Sequence, residues 1–348
     1  MLNLTDMDLR QLSELIAGFG EKPYRAKQVF SWAYGKYAST WDEMTDLPAP
    51  LRKYLGETAR VRQLELLRKQ EGEGDWAKRF LWGKEGKPLC ESVLLSYKYG
   101  LTGCVSSQAG CPVGCGFCAS TALGFERNLS AGEIIEEFLG MCQDQRNRLG
   151  HIVFMGTGEP FLNYDNVLSA IDRLCDPALY GLSRRKVTVS TVGVPPAMDR
   201  YAKDCKGARL ALSLHATDNG TRDQLIPLNK RYPLEAVLSA LKRFSTNTGQ
   251  RVTIEYMLLR DVNDGAADAD RLSSMVKGLD CLVNLIPWNE VPGMKWRSPE
   301  PARVAMFRDA LEGNRVKVTV RRRLGANIEA ACGQLRRQLA ARPNPKIR

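Results

Sequence analysis

The sequence predicts an α/β fold whose parallel sheet forms an incomplete barrel of six β/α units, (βα)6, with a small N-terminal helical module and a short β-rich connecting segment. Two observations predict the barrel. Apolar β-rich runs recur along the chain with longer helix-like stretches between them, and there are too few of these units for a closed eight-unit barrel. At 348 residues and 44% hydrophobic content, the chain is long enough to bury a large core.

The first sixty residues show helical periodicity. Two apolar faces flank a break at Gly18–Lys22, one formed by Leu9, Leu12, Leu15 and Ile16 and the other by Ala26, Val29, Phe30 and Ala33. Between Leu64 and Tyr97 the pattern changes to alternating strands, with turns at Gly72–Asp75 and Gly83–Lys87. We therefore expect a domain boundary near Tyr99.

The barrel repeat follows that boundary. Its predicted strands are Thr102–Ser107, His151–Met155, Val187–Val192, Arg209–Leu214, Val252–Leu259 and Leu282–Pro287. Its predicted helices are Ala131–Arg148, Asn166–Leu174, Leu234–Phe244, Ala267–Val276 and Pro301–Leu311. A last strand, Val316–Arg321, precedes a loop at Gly325, a short helix and a tail with the basic residues Arg336, Arg337, Arg342, Lys346 and Arg348.

These patterns divide the chain into four parts. We expect an N-terminal helical accessory module over residues 1–60 and a β-rich connecting segment over 61–99. The partial barrel is expected over 100–315, and a C-terminal strand, cysteine-bearing loop and basic tail over 316–348.

Charge and targeting signals restrict the class of protein. Fifty Lys and Arg against 39 Asp and Glu give a net charge of +11, which favours a polyanionic partner such as nucleic acid; a merely basic enzyme is the alternative. Acidic residues interrupt the first twenty positions, and no apolar run is long enough for a membrane span. We expect a cytoplasmic protein, in which the ten cysteines are thiols, metal ligands or catalytic groups rather than a disulfide framework.

Three cysteines share one glycine-rich loop directly after the first barrel strand. Cys111, Cys115 and Cys118 have the spacing C-x3-C-x2-C. A structural zinc site needs a fourth Cys or His, whereas the two histidines, His151 and His215, belong to separate predicted strands. A [4Fe-4S] cluster held by three thiolates keeps one iron open to another ligand. Buried structural thiols are the alternative, but they have no reason to share one loop.

Other strands of the barrel end in polar or small residues. The second strand ends in Met155-Gly-Thr-Gly158-Glu159-Pro160, where glycines permit close backbone approach and Glu159 can accept from an ammonium group. Ser190, Ser213 and His215 end the third and fourth strands. Because the carboxyl ends of barrel strands meet at one mouth, these groups are expected beside the cysteine loop. Taken singly, each fits a glycine turn or a helix cap.

The cysteine spacing, with Phe117 before the last cysteine, resembles the signature of the radical-SAM superfamily. Further segments along nearly the whole chain narrow the resemblance to the dual-specificity 23S rRNA and tRNA adenine carbon-2 methyltransferases. The matching segments are Glu91-Ser-Val, Cys104 to Cys111, Gly124 to Leu129, Met155 to Asn163, Ser213-Leu-His-Ala216, Pro227 to Pro233, Asn284 to Asn289 and Ala330 to Leu335.

The resemblance implies that two molecules of S-adenosylmethionine (SAM) are used per turnover. The first methylates Cys332, and the second, bound to the open iron, yields a 5′-deoxyadenosyl radical that takes hydrogen from S-methyl-Cys332. The resulting methylene radical adds to adenine carbon 2 and joins enzyme to RNA. Cys104 matches the thiol that releases the product and leaves a transient disulfide, and Glu91 matches the proton acceptor. The covalent carrier suits an aromatic carbon that is a poor nucleophile.

The resemblance also implies cofactor contacts and partners. The SAM contacts carried over are Gly158, Glu159, Ser190, Ser213, Leu214, His215 and Asn289. The implied partners are 23S rRNA at its peptidyl-transferase centre, the tRNA anticodon loop, and a reductant such as flavodoxin or ferredoxin. The chain is expected to be a monomer without membrane association.

Some positions depart from the family pattern or lack a role in it. Thr157 stands where methionine is frequent, and Asn327 stands where aspartate commonly precedes the Ile-x-x-Ala-Cys stretch. The other cysteines, whose sequence context is that of ordinary strands and helices, are expected to be structural: Cys90, Cys142, Cys175, Cys205 and Cys281. A solvated strand carboxylate is the alternative for Glu91.

A base inside folded RNA must be unstacked before it can enter a barrel mouth. The N-terminal module offers cations and aromatic residues for gripping RNA, and the aromatic residues are equally suited to a core: Lys22, Arg25, Lys27, Tyr24, Phe30, Trp32 and Tyr34. Two rival functions remain. One is methylation at adenine carbon 8, as in antibiotic-resistance relatives, against which Pro160 argues; the other is a non-catalytic iron-sulfur protein that binds RNA.

Overall fold

The computed structural model describes residues 1–72, 76–122, 124–321, 324–325 and 328–335. The basic tail, Asn327 and most of the Gly72–Asp75 turn lie outside the described residues. The described strands are β1 Leu2–Asn3, β2 Ala59–Arg60, β3 Glu65–Glu71, β4 Ala77–Lys84, β5 Lys87–Tyr97, β6 Gly100–Val105, β7 Gln108–Ala109, β8 Arg127–Asn128, β9 His151–Phe154, β10 Val187–Thr191, β11 Arg209–Ser213, β12 Val252–Leu258, β13 Cys281–Pro287 and β14 Val318–Val320. The described α-helices are α1 Leu9–Gly18, α2 Arg25–Phe30, α3 Ala49–Thr58, α4 Ala131–Gln145, α5 Tyr164–Cys175, α6 Pro195–Asp204, α7 Asn219–Leu225, α8 Leu234–Thr248, α9 Ala266–Met275 and α10 Pro301–Gly313.

One ten-stranded sheet runs through most of the molecule, in the order β14-β13-β12-β11-β10-β9-β6-β5-β4-β3. Within this sheet, β6 and the strands from β9 to β14 pair in parallel, and β3, β4 and β5 extend it in antiparallel pairing. The short strands β7 and β8 form a separate antiparallel pair. Tyr97 on β5 and Arg321 after β14 line the same cavity, so the sheet curves until its distant parts approach each other. The predicted partial barrel is confirmed.

The segment that precedes the barrel is rich in β-strands, as expected. Its strands belong to the barrel's own sheet, because β5 pairs with β6 from Val93↔Cys104 to Tyr97↔Gly100. The expected boundary near Tyr99 falls in the tight turn between these two strands. The division of the chain at 60, 99 and 315 stays a prediction.

Local sequence signals explain where several helices begin and end. Ser130 caps α4 through a capping box, in which its Oγ accepts from Glu133 N at 3.1 Å and Glu133 Oε2 accepts from Ser130 N at 3.0 Å. Helix α8 ends at Gly249, whose φ of 63° is the left-handed conformation that glycine adopts without strain. The helices α6 and α7 were not predicted, since they are short and α6 begins with two prolines.

Aliphatic and aromatic side chains fill the space between the sheet and its helices. Phe138 on α4 and Phe244 on α8 are completely buried, as is Ile152 on β9. The strand residue Gly103 is required by this packing, because an added Cβ would lie 2.9 Å from Met141 Cε and 3.1 Å from the Phe138 ring.

The N-terminal module is fixed to the barrel through one buried carboxylate on α4. Glu136 Oε1 accepts from Thr5 Oγ1 at 2.6 Å and from Asn3 Nδ2 at 2.8 Å, while Oε2 accepts from the backbone N–H groups of Gln63 and Leu64. A buried charge satisfied by four donors holds the module in one orientation relative to the barrel.

The described helices include none that is both long and apolar enough to span a membrane.

Candidate active site

Tight turns shape the cysteine loop between β6 and α4. Gly110 has a φ of +77°, and a Cβ there would lie 1.8 Å from Gly124 O, so glycine is obligatory at this position. Burial alternates along the loop: Val113, Cys115 and Phe117 are buried, and Gly114 and Gly116 are exposed.

Cys111, Cys115 and Cys118 line one open cavity of about 820 Å³. Burial raises the pKa of Cys111 to about 12 and also raises the pKa values of Cys115 and Cys118. Iron bound at these thiols must therefore displace their protons. Among the described residues no three Cys, His, Asp or Glu side chains are grouped so that they could hold a metal ion. A four-iron cluster distributes its thiolates over separate irons, so its ligands need not meet at one point, and three thiols around one cavity fit it.

Glu159 lies in the same cavity and is almost completely buried. Its Oε1 accepts from Phe161 N at 3.0 Å and its Oε2 accepts from Val192 N at 2.9 Å. Burial raises its pKa to about 6, and these backbone donors oppose the shift. Glu159 is thus fixed in orientation and ionised at neutral pH, which is the state an ammonium group requires.

The glycines next to Glu159 pack against the chain itself. A Cβ at Gly156 would lie 2.7 Å from Val105 O, and one at Gly158 would lie 2.6 Å from Ser107 Oγ. The backbone at these two glycines therefore lies close to the chain at and just after the end of β6. Gly158 also lines the cavity, where a ligand could approach it. Thr157, between these glycines, is buried, and its backbone N–H donates to Ser106 Oγ at 2.8 Å.

The expected contacts at the ends of β10 and β11 also reach this cavity. Ser190 Oγ and Ser213 Oγ are 3.2 Å apart, and both line it together with His215. Burial lowers the pKa of His215 to about 3, so the imidazole is neutral, and its Nδ1 accepts from Met257 N at 3.0 Å. The ring of Phe117 from the cysteine loop meets the His215 ring edge to face, with centroids 5.0 Å apart.

Two expected cofactor contacts are placed differently. Leu214 is fully buried and is not among the described residues that line this cavity. Asn289 lines an adjoining cavity of about 710 Å³, where its Nδ2 lies 3.5 Å from Cys332 O. Its buried Oδ1 has no hydrogen-bond partner within the part of the chain that the structure describes.

Cys332 lines both cavities, whereas Cys104 lines the adjoining one. Backbone contacts fix the Cys332 segment against the cysteine loop: Ala119 N donates to Gly333 O at 2.7 Å, and Ser120 Oγ donates to Leu335 O at 3.1 Å. Both cysteines are free thiols. Burial raises the pKa of Cys104 to about 12, and the nearby Arg321 opposes this.

Glu91 is completely buried, which excludes the solvated-carboxylate interpretation. It pairs with Arg79, whose Nη2 lies 2.5 Å from Glu91 Oε1, and Arg79 Nη1 donates to Ile328 O at 3.2 Å. Glu91 thus contacts the Cys332 segment through Arg79, and it is not among the described residues that line either cavity.

Three charged residues near the cavities were missed by sequence reasoning. Arg321 lines both cavities. The pKa of Arg321 is raised, and the largest cause is the nearby charge of Cys332. Glu255 lines the larger cavity, and Arg222 donates from Nε to Leu214 O at 3.1 Å and from Nη2 to Val192 O at 2.5 Å. The sequence signal for Glu255 is a glutamate inside the otherwise apolar strand β12. Arg321 is the first residue of a basic run, and such a run is typical of a solvated surface.

The remaining predicted residues divide by exposure. Phe30 and Tyr34 are core residues, so the prediction that they bind RNA is wrong for these two. Tyr24 is 51% exposed. Lys36 Nζ lies 3.4 Å from the centroid of the Trp32 ring. Cys90, Cys142, Cys205 and Cys281 are buried, as expected for structural thiols, and Cys175 is half-buried.

Comparison with known proteins agrees with this geometry. Residues 2–61 match the ribosomal RNA large subunit methyltransferase N-terminal domain, and residues 105–272 match the radical SAM superfamily. A probable dual-specificity RNA methyltransferase RlmN from Thermotoga neapolitana is 42% identical over 97% of this chain and 98% of its own length. The same-named protein from Pelotomaculum thermopropionicum is 43% identical over 97% of this chain and 92% of its own.

A solved structure extends the similarity to three dimensions. The crystal structure of a radical SAM methyltransferase from Sphaerobacter thermophilus superposes with a TM-score of 0.94 at 38% identity, covering 97% of this chain and 100% of the other. The chain belongs to the RlmN family of dual-specificity RNA methyltransferases, within the radical SAM superfamily.

Proposed function

We propose that this chain methylates carbon 2 of an adenine in 23S rRNA and in the tRNA anticodon loop, with Cys332 as methyl carrier and Cys104 as resolving thiol. The observation that carries the proposal is the position of Cys332. It lines the cavity of the three clustered cysteines and Glu159, and it also lines the adjoining cavity that contains Cys104. One sulfur can thus face a radical source on one side and a target base on the other.

Cys111, Cys115 and Cys118 would hold the [4Fe-4S] cluster, and Glu159, Gly158, Ser190, Ser213 and His215 would contact SAM. When bound, the cluster supplies one electron and an open iron site to SAM. The buried His215 and Glu159 both accept hydrogen bonds from backbone N–H groups, so the side chains that would contact SAM are held in fixed orientations. Leu214 and Asn289 would support this site from beneath it and from the adjoining cavity.

Cys332 first attacks the methyl carbon of one SAM molecule, forming a sulfur–carbon bond as the sulfonium bond breaks. The 5′-deoxyadenosyl group of a second, reductively cleaved SAM molecule would take a hydrogen atom from S-methyl-Cys332, giving 5′-deoxyadenosine, and the methylene carbon then bonds to adenine carbon 2. The adduct would lose one electron, for which the oxidised cluster held by Cys111, Cys115 and Cys118 would be the acceptor, and the carbon-2 proton, for which Glu91 is the proposed acceptor. Cys104 then attacks the Cys332 sulfur. A disulfide forms, the sulfur–carbon bond breaks, and the methylene carbon takes up a proton to become methyl.

RNA binding is proposed for the N-terminal module together with the basic surface. Lys22 and Lys27 are exposed there, Tyr24 is about half exposed, and Lys36 lies over Trp32. Exposed cations bind phosphates, and exposed aromatic rings offer stacking faces for unpaired bases. A cytoplasmic, monomeric chain is part of the same proposal.

The test is product identification after anaerobic reconstitution with iron and sulfide. Protein, dithionite, SAM and either rRNA or tRNA are incubated together, and the nucleosides are identified by mass spectrometry. We expect 2-methyladenosine and 5′-deoxyadenosine. Formation of 8-methyladenosine would select the carbon-8 alternative, and RNA binding without 5′-deoxyadenosine would select the non-catalytic one.

A cluster test uses the same material and needs no activity. Cys118→Ala should lose the brown iron-sulfur absorbance, because one of three ligands is removed. Cys332→Ala should keep it, since Cys332 is not a proposed ligand. Equal iron content in the two variants would contradict the assignment of Cys118.

A further inference from the structure

The outer side of the cysteine loop is an exposed surface that the proposed reaction does not yet use. Gly114 and Gly116 are exposed. Cys115, which lies between them, and Phe117, which follows Gly116, are buried. A single layer of backbone therefore separates solvent from the buried thiols. A redox centre placed against this loop would come close to the cluster without entering either cavity.

One cation is held next to this exposed backbone by a tryptophan. Trp296 Nε1 donates to Gly116 O at 2.7 Å, and Lys295 Nζ lies 4.5 Å from the centroid of the Trp296 ring. Lys295 is thus fixed beside the loop by a cation–π contact.

Two further cations lie in a segment that contacts the loop. Gly116 N donates to Leu225 O at 3.0 Å, and a Cβ at Gly114 would lie 3.9 Å from Pro227 Cγ. The turn that starts at Pro227 leads directly to Lys230 and Arg231, which are both exposed.

These three cations have no carboxylate within salt-bridge distance among the described residues. Lys230, Arg231 and Lys295 are absent from the ion pairs of the described chain, and nearby Asp223 accepts a hydrogen bond from Asn229 Nδ2 at 2.7 Å. Unneutralised cations around an exposed loop create a local positive field that attracts an acidic surface.

We propose that Gly114, Gly116, Lys230, Arg231, Lys295 and Trp296, here called the donor face, form the docking surface for an acidic one-electron donor protein. The donor is of the low-potential flavoprotein or ferredoxin class. On docking, one electron leaves the donor's reduced centre and enters the cluster; the donor is oxidised, the cluster is reduced, and no covalent bond changes. The inference rests on the proposed function, because only a radical SAM reaction needs this electron.

One requirement favours a donor protein over RNA on this face. RNA must deliver a base to the cavity between Cys104 and Cys332, whereas a donor needs only proximity to the cluster ligands. Charge-steered docking also suits a transient electron-transfer contact.

The test reverses three charges in the reconstituted holoprotein, with Lys230→Glu, Arg231→Glu and Lys295→Glu combined. A matched control changes three exposed lysines elsewhere on the barrel, two on helices α6 and α8 and one in the turn after α9, with Lys203→Glu, Lys242→Glu and Lys277→Glu combined. The probe is chemically reduced flavodoxin, whose flavin oxidation is followed by stopped flow at several salt concentrations. The affinity of oxidised flavodoxin for each protein is measured alongside.

We expect the donor-face variant to oxidise flavodoxin on the order of tenfold more slowly than the control at low salt, with a flattened salt dependence and weakened flavodoxin binding. With dithionite, which needs no docking surface, the variant should match wild type in RNA methylation. Equal flavodoxin rates for the two triple variants would overturn the proposal. Loss of RNA affinity with unchanged flavodoxin rates would also overturn it, by assigning the face to RNA. Failure of wild type to methylate RNA with dithionite would reject the proposed function, while the flavodoxin affinities would still report on docking.

Discussion

Arg79 and Glu91 form a buried ion pair in which both Nε, at 3.0 Å, and Nη2, at 2.5 Å, donate to Glu91 Oε1. Arg79 also donates from Nη1 to Ile328 O, four residues before Cys332. Adjacent strands β4 and β5 supply the pair, so a charge pair inside the sheet contacts the segment that contains Cys332.

Arg79→Met should destabilise the protein by about 3–5 kcal/mol, because it removes the Arg79 partner of a buried ion pair. Urea unfolding measures this loss. Combining it with Glu91→Gln should recover much of the stability, since both charges of the buried pair are then removed. If Glu91 is the proton acceptor, methylation stays abolished in the stable double variant; methylation at the wild-type rate would remove that role.

Cys104→Ala should trap the enzyme covalently attached to RNA. The methylene adduct can form at Cys332, but the thiol that shares its cavity and releases the product is gone. A slower-migrating protein–RNA species on a denaturing gel is the measurement. Cys281→Ala, which removes a buried thiol at the start of β13, is the matched control and should release product normally. Free 2-methyladenosine at wild-type rates from Cys104→Ala would rule out the resolving role.

SAM affinity should fall as the pH drops through about 6. Burial raises the pKa of Glu159 to about 6, so the carboxylate that attracts the ammonium group of SAM is mostly ionised above this pH and protonated below it. The dissociation constant should rise roughly fourfold between about pH 7.5 and about pH 5.5, as the ionised fraction falls. Equilibrium binding to the reconstituted protein measures it. Glu159→Gln should bind SAM weakly, with an affinity that does not change with pH. If this variant keeps the pH dependence of the wild type, another group is responsible for the titration.

Arg222→Met should both destabilise the fold and weaken SAM binding. The buried guanidinium donates to Leu214 O, Val192 O and Asn229 Oδ1, and each acceptor left unpaired costs about 1–3 kcal/mol. Arg243→Met removes an exposed arginine paired with Asp199 and should cost far less stability, because solvent screens this surface pair. Denaturant unfolding and SAM titration of both variants test the difference. Similar behaviour of the two would show that Arg222 does not organise the strand ends.

The sequence by itself determined the repeat of the barrel and the three-cysteine motif of its first loop. Strand and helix periods are local properties of the chain, and the spacing of Cys111, Cys115 and Cys118 is visible without any fold. Only the tertiary structure decided that Cys332 lies on the wall shared by two cavities, since this position depends on backbone contacts with residues more than two hundred positions away. It also decided that Arg79, Arg222 and Arg321 are buried or cavity-lining partners rather than surface charges. An arginine has the same local pattern in both settings, because burial is a property of the packed fold and not of the neighbouring residues.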